Sequence, residues 1–115
     1  MNLQQISFAM FAAAASGGLL FTALISFRKH YPRALAAGHG LIGVSAWAVL
    51  GYALSESPAP VTAAGWWAIG VLGAAGCGGG LLFRVLRLKG RRLSLALMHG
   101  SLALLGLVLL YQFVF

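Results

Sequence analysis

Two histidines stand inside long apolar runs, and each is followed by glycine: His39-Gly40 and His99-Gly100. Imidazole is scarce at membrane depth, where a polar or ionisable side chain usually faces the bundle interior and serves a purpose. Neutral imidazole offers one lone pair for a metal and one N–H for a hydrogen bond. The pair therefore admits three chemistries: two axial ligands on one haem iron, ligands of a smaller metal ion, or polar contacts to a neighbouring helix or a quinone. Zinc and copper favour three or four protein ligands. Here the spans contain no carboxylate, the chain has a single cysteine, Cys77, and the third histidine, His30, sits in a loop between Lys29 and Tyr31. Haem needs only two opposed imidazoles, so it suits this donor set best.

The glycines fit that chemistry. A flat macrocycle about 10 Å across cannot enter a bundle packed to normal density unless small residues open a slot. Gly38 and Gly40 flank His39, Gly100 follows His99, and Gly43 and Gly106 lie deeper in the same runs. Gly17-Gly18 and the group Gly76, Gly78, Gly79 and Gly80 fall at comparable depth and are expected to receive the macrocycle edge. The competing role for each glycine is ordinary close packing of membrane helices. Arg33, Arg84 and Arg92, with Arg28 and Arg87, stand near the histidines and offer charge-assisted partners for haem propionates. Met98 is expected to fill space, and Trp66-Trp67 to anchor at the membrane interface.

What holds these residues is an apolar chain. Of 115 residues 61% are hydrophobic and 8% charged, with a mean hydropathy of +0.93. A soluble domain carries about a quarter charged residues, so this composition excludes one. Uncharged runs bounded by charge or proline predict four membrane-spanning helices, at about 6–27, 34–54, 61–86 and 93–115. Short connections make sequence neighbours antiparallel partners in an all-α, four-helix bundle. The eight Lys and Arg residues, giving a net charge of +7, lie in or beside the first and third connections, whereas the second holds Glu56, the one acid. Clustered this way they signal topology and not nucleic-acid binding. Both basic connections are expected in the cytoplasm, with the N- and C-termini outside. The first run follows no basic segment and reads as a retained span, not a cleaved signal.

The order of motifs repeats. Gly17-Gly18-Leu19-Leu20-Phe21 returns 62 residues later as Gly79-Gly80-Leu81-Leu82-Phe83, and the two His-Gly pairs are 60 residues apart. Each glycine motif leads into a basic loop, and each loop into a His-Gly pair. This predicts two tandem hairpins inserted with the same orientation and related by a pseudo-two-fold axis along the membrane normal. His39 lies six residues past Arg33 and His99 seven past Arg92, which puts both roughly 9–10 Å from the basic boundary at about 1.5 Å per residue. They occupy diagonal spans of a sequential bundle, so both can point at its axis.

With four short-looped spans and the paired motifs Arg33 to His39-Gly40 and Arg92 to His99-Gly100, the chain resembles the small bacterial four-helix b-type cytochromes. It differs from two-haem members of the cytochrome b561 group, which use four histidines, since only two lie within its spans. The resemblance implies at most one haem b per chain, a bacterial inner-membrane location, and electron transfer between a quinone pool and a redox protein. The second reading is a non-catalytic accessory or scaffold subunit of a larger respiratory or photosynthetic complex; a homodimer suits either. Proton-coupled drug export is disfavoured by the absence of an acid in the first span. Hydrolysis finds no support, because Ser16, Ser45, Ser94 and Ser101 have no neighbouring acid.

The charge asymmetry makes a direct prediction. A reporter active only outside the cytoplasm, fused after Phe115, is expected to be active, and the same reporter placed in the first basic connection silent; the reverse pattern inverts the topology.

Overall fold

The computed structural model describes residues 1–30, 32–84 and 92–115, with the last three residues of the third helix and the first of the fourth described by backbone alone. Four helices run in chain order: α1 (Leu3–Ser26), α2 (Arg33–Ser55), α3 (Ala63–Arg84) and α4 (Arg92–Val114). α1, α2 and the Leu93–Val114 stretch of α4 are long and apolar enough to cross a membrane. α3 has 22 residues, seven of them glycines, and it completes the bundle beside the other three. The expected end of the third span near residue 86, with Arg87, Lys89 and Arg91, lies outside the described residues.

Local sequence explains where the helices stop. At the start of α1 the Asn2 side chain accepts from the Gln5 N–H at 2.8 Å and the Gln5 side chain accepts from the Asn2 N–H at 3.1 Å, a reciprocal cap of the kind that stabilises an exposed helix start. At its other end Arg28 adopts φ 53°. The Lys29 N–H reaches back to the Leu24 carbonyl and the Arg28 N–H to Ile25, a left-handed stop usually built with glycine. Pro32 then begins α2, where its missing N–H costs nothing.

The molecule measures 47 × 22 × 22 Å, longer than a hydrocarbon core of about 30 Å. α1 packs on α2 and α4, and α3 on α4 and α2. Across both diagonals, α1 to α3 and α2 to α4, no Cα pair among the described residues comes within 8 Å. The arrangement is the one expected of antiparallel neighbours.

Packing is divided along the bundle axis. Phe11, Ala46, Leu50, Leu54, Ala68, Leu72 and Leu110 form one buried core, joined by Phe8, Ile69 and Phe113. All belong to the half that carries the chain termini and Glu56. Two hydrogen bonds lock this half together: the buried Ser7 hydroxyl donates to the Ala46 carbonyl at 2.9 Å, and the Trp47 indole N–H donates to the Ile69 carbonyl at 2.9 Å. Lipid removes the hydrophobic drive between helices, so close packing and such interhelical bonds carry association. Leu19, Leu41, Val44, Trp66, Leu105 and Val108 stay exposed on the outer faces, as lipid-facing residues should.

Two glycines test this packing. A Cβ on Gly106 would lie 2.6 Å from Leu72 Cγ and 3.3 Å from its backbone nitrogen, whereas at Gly70 it would meet nothing. Gly106→Ala is expected to destabilise the bundle by about 1–3 kcal/mol. Gly70→Ala should be neutral or stabilising by up to about 1 kcal/mol. Unfolding titrations in mixed micelles measure both.

Candidate functional site

The basic end of the bundle lacks this apolar core, and there the two intraspan histidines meet. His39 belongs to the second turn of α2 and His99 to the equivalent depth of α4. Their helices are diagonal and do not touch, yet the imidazole centroids stand 6.2 Å apart with ring planes at 81°. Both rings are therefore aimed inward, across the axis.

Glycine on the preceding helix makes room for each ring. A Cβ on Gly79 would come within 2.7 Å of His99 Cε1 and 3.1 Å of its Nδ1. On the other side, a Cβ on Gly17 would lie 3.5 Å from His39 Nδ1 and one on Gly18 3.3 Å from Cε1. Gly17, Gly18 and Gly79, expected from sequence to face a macrocycle edge, instead lie against the imidazoles. The open positions are Gly76, Gly78 and Gly80 on α3 and Gly38 and Gly43 on α2, where a Cβ would meet nothing within 4 Å.

The rings differ in their hydrogen bonding. His99 Nδ1 donates to the Ala75 carbonyl at 2.9 Å, and because a carbonyl only accepts, this bond places the proton on Nδ1 and leaves the Nε2 lone pair free. A metal-ligating histidine is typically oriented by such a bond from its other nitrogen. His39 Nδ1 is buried and faces the Ala14 carbonyl outside hydrogen-bond geometry. The edge of Phe21 closes over His39, centroids 5.6 Å apart at 80°.

The separation can be compared with that needed by one shared ion. Metal–imidazole bonds run about 2.0–2.1 Å and a ring centre lies about 1.1 Å beyond its nitrogen, so imidazoles on opposite sides of one ion stand about 6.2–6.4 Å apart. The observed 6.2 Å falls in that interval. No cluster of three or more His, Cys, Asp or Glu capable of holding a metal occurs among the described residues.

The remaining sequence-predicted residues are distributed as follows. Gly40 is exposed and Gly100 half-buried, and a Cβ on either would meet open space, so neither is required to be glycine by a contact. Arg33 is exposed at the start of α2. Arg84 ends α3 and Arg92 starts α4, which places their backbones at the basic end; their side chains lie outside the described residues. His30, Cys77 and Met98 are exposed, as are Trp66 and Trp67.

Phe21 and Ala75 are the residues sequence reasoning did not assign. Both are legible in hindsight: Phe21 lies four residues after Gly17 and Ala75 four before Gly79, so each shares a helix face with the glycine under its histidine.

No family model, no curated protein and no solved structure matches this chain. The histidine pair must be interpreted from its own geometry.

The glycine contacts generate a graded prediction. Gly79→Ala must displace the His99 ring, whereas Gly17→Ala places a methyl at ordinary contact distance from His39. Gly79→Ala is expected to move the His99 nitrogen resonances and break the bond to Ala75, and Gly17→Ala to leave His39 near its original position. Histidine-labelled nitrogen NMR of the two variants reads this directly; equal perturbation by both would contradict it.

Proposed function

We propose that this chain is a membrane-embedded electron carrier of the b-type cytochrome kind, holding one haem b between His39 and His99. The observation that carries the proposal is the 6.2 Å separation of two inward-facing imidazoles on diagonal helices, the spacing that axial ligands of one iron require. Bound haem would supply a reversible one-electron couple.

The chain's own residues have definite parts in this reading. His99, oriented by the Ala75 carbonyl, presents Nε2 as a ligand of fixed direction. His39 presents the second imidazole from the opposite side. Ala14, Phe21 and Ala75 are buried around the pair and exclude water, which raises the weight of every nearby charge. Arg33, Arg84 and Arg92 supply positive charge at the same end of the bundle, where propionates would find partners.

The wider reading follows from the sequence. The two hairpins are a tandem duplication, supported by matching pairs: the α1 glycines against His39 and the α3 glycine against His99. The chain resides in a bacterial inner membrane with its histidine end toward the cytoplasm, exchanging electrons with a quinone or a redox protein. It acts alone, as a homodimer, or within a larger membrane complex.

The test is the reduced-minus-oxidised visible spectrum of purified protein. Low-spin, six-coordinate haem bands are expected, and His39→Ala or His99→Ala should each give a five-coordinate form or lose haem. A sample that stays colourless after reconstitution with haem overturns the proposal. It would leave the pair as a polar packing element and the chain as an accessory subunit.

A further inference from the structure

A half-open groove of about 180 Å³ runs along the outer face of the first hairpin, between α1 and α2. Ala14, Gly17 and Phe21 are its less exposed residues, while Leu20 on α1 and Leu35 and Ile42 on α2 form exposed apolar rims. The His39 ring borders it as well. On the second hairpin the equivalent contact is tighter, since a Cβ on Gly79 would come 2.7 Å from His99, against 3.5 and 3.3 Å from Gly17 and Gly18 to His39. Leu35 lies two residues and Ile42 nine beyond Arg33, so at about 1.5 Å per residue the α2 rim covers depths of roughly 3–14 Å below the basic boundary. Half of a hydrocarbon core is about 15 Å thick. The groove therefore belongs to a single leaflet.

The connection that joins the two walls of the groove carries its charge. Arg28 and Lys29 follow α1 and Arg33 opens α2, and all three are exposed. The one acidic side chain of the protein, Glu56, stands beyond the other end of the 23-residue α2. No carboxylate side chain can neutralise these cations, so their counter-charge must come from outside the chain. Lys and Arg clustered beside a membrane span attract anionic lipid headgroups, each cation adding about fivefold in affinity. A water-soluble anion would use only the positive mouth, and a neutral apolar molecule only the groove. An anionic phospholipid uses both, with its charge at the membrane surface and its hydrocarbon directly beneath.

We propose that the first hairpin is a specific site for one anionic phospholipid of the leaflet at the basic end. Arg28 and Lys29 hold its phosphate, and a segment of one acyl chain sits in the groove between Leu20 and Leu35. An apolar cavity of about 150 Å³ admits benzene, so this groove takes a chain segment of comparable bulk and leaves the rest of the lipid in the bilayer. Rims that face lipid would be covered by hydrocarbon in any case, which gives the acyl chain little part in selectivity. The headgroup selects, and the shape of the groove fixes where the chain lies. The site stands independently of what the histidines hold. It also places a bridging molecule across α1 and α2 at the end of the bundle where the apolar core is missing.

Native mass spectrometry of the full chain tests the site, in micelles holding equal amounts of phosphatidylglycerol and phosphatidylethanolamine with identical acyl chains. Retention of one phosphatidylglycerol per chain, in preference to phosphatidylethanolamine, is expected. Arg28→Asn combined with Lys29→Gln should weaken that retention by at least about tenfold; asparagine is chosen because it tolerates the left-handed backbone at position 28. Lys89→Gln combined with Arg91→Gln removes the same charge from the other basic connection and should weaken it far less. Phosphatidylglycerol with a photoreactive diazirine in its acyl chain should label the α1 and α2 peptides containing Leu20 and Leu35 in preference to α3 and α4. Ala13→Leu, which narrows the groove without altering charge, should reduce that labelling. Excess inorganic phosphate should not release the lipid. Equal retention of the two lipids, equal loss in both charge variants, or labelling spread evenly over the four helices overturns the proposal and leaves bulk lipid contact only. Release by phosphate overturns it in favour of a soluble anion at the cations.

Discussion

The contact of imidazole on glycine is what the basic end of this bundle depends on. α3 and α4 approach closely enough at Gly79 that a single added carbon would collide with His99. The ring has nowhere to lie except over that glycine, from which it points to the axis and reaches the Ala75 carbonyl one turn away. α1 and α2 repeat the arrangement more loosely at Gly17, Gly18 and His39. Each histidine is thus directed by the helix before it in sequence, and two such directions, imposed on diagonal helices, bring the rings within 6.2 Å. Neither hairpin alone produces the meeting.

That geometry depends on the opposite half of the molecule. The core around Leu50, Leu72 and Leu110 is continuous, and the Ser7 and Trp47 hydrogen bonds fasten α1 to α2 and α2 to α3. Gly73 takes part, since a Cβ there would come within 2.9 Å of the Trp47 indole nitrogen. A rigid end fixes the relative positions of four helices about 1.5 Å per residue along their length, so the loosely filled end inherits their spacing without needing a core of its own. Division of this kind lets a bundle hold a polar group at one end while most of its packing lies at the other.

Much of this was legible in the sequence. The four uncharged runs marked the helices to within a few residues, because charge and proline stop a membrane helix abruptly. Near-equal spacing of His39 and His99 from Arg33 and Arg92, six and seven residues, gave their common depth, and sequential topology made their helices diagonal. Glycine function was harder to read. A glycine in a membrane helix serves a ring, a neighbouring helix or open lipid equally well in composition, and only the helix azimuth separates Gly79 under His99 from Gly80 facing outward. The inequality of the two histidines was invisible for a related reason. It arises from sub-ångström differences in helix approach and from one backbone carbonyl, and backbone groups carry no letter in the sequence.

An energetic argument bears on the choice between a cofactor site and a scaffold. A buried nitrogen without a partner, such as His39 Nδ1, costs about 1–3 kcal/mol. Two imidazoles across an axis add no apolar packing that leucine would not provide better, and the one interhelical bond they make, from His99 to Ala75, joins helices that are already in extensive contact. Interhelical hydrogen bonds in membranes contribute on average only about 0.6 kcal/mol, less than the cost of the unsatisfied nitrogen. A bundle whose task was only to stand in lipid would be more stable with two leucines at these positions. Each ring nonetheless carries a second nitrogen whose lone pair leucine would not offer, and that chemical capacity, not stability, is what the pair adds to this end of the bundle.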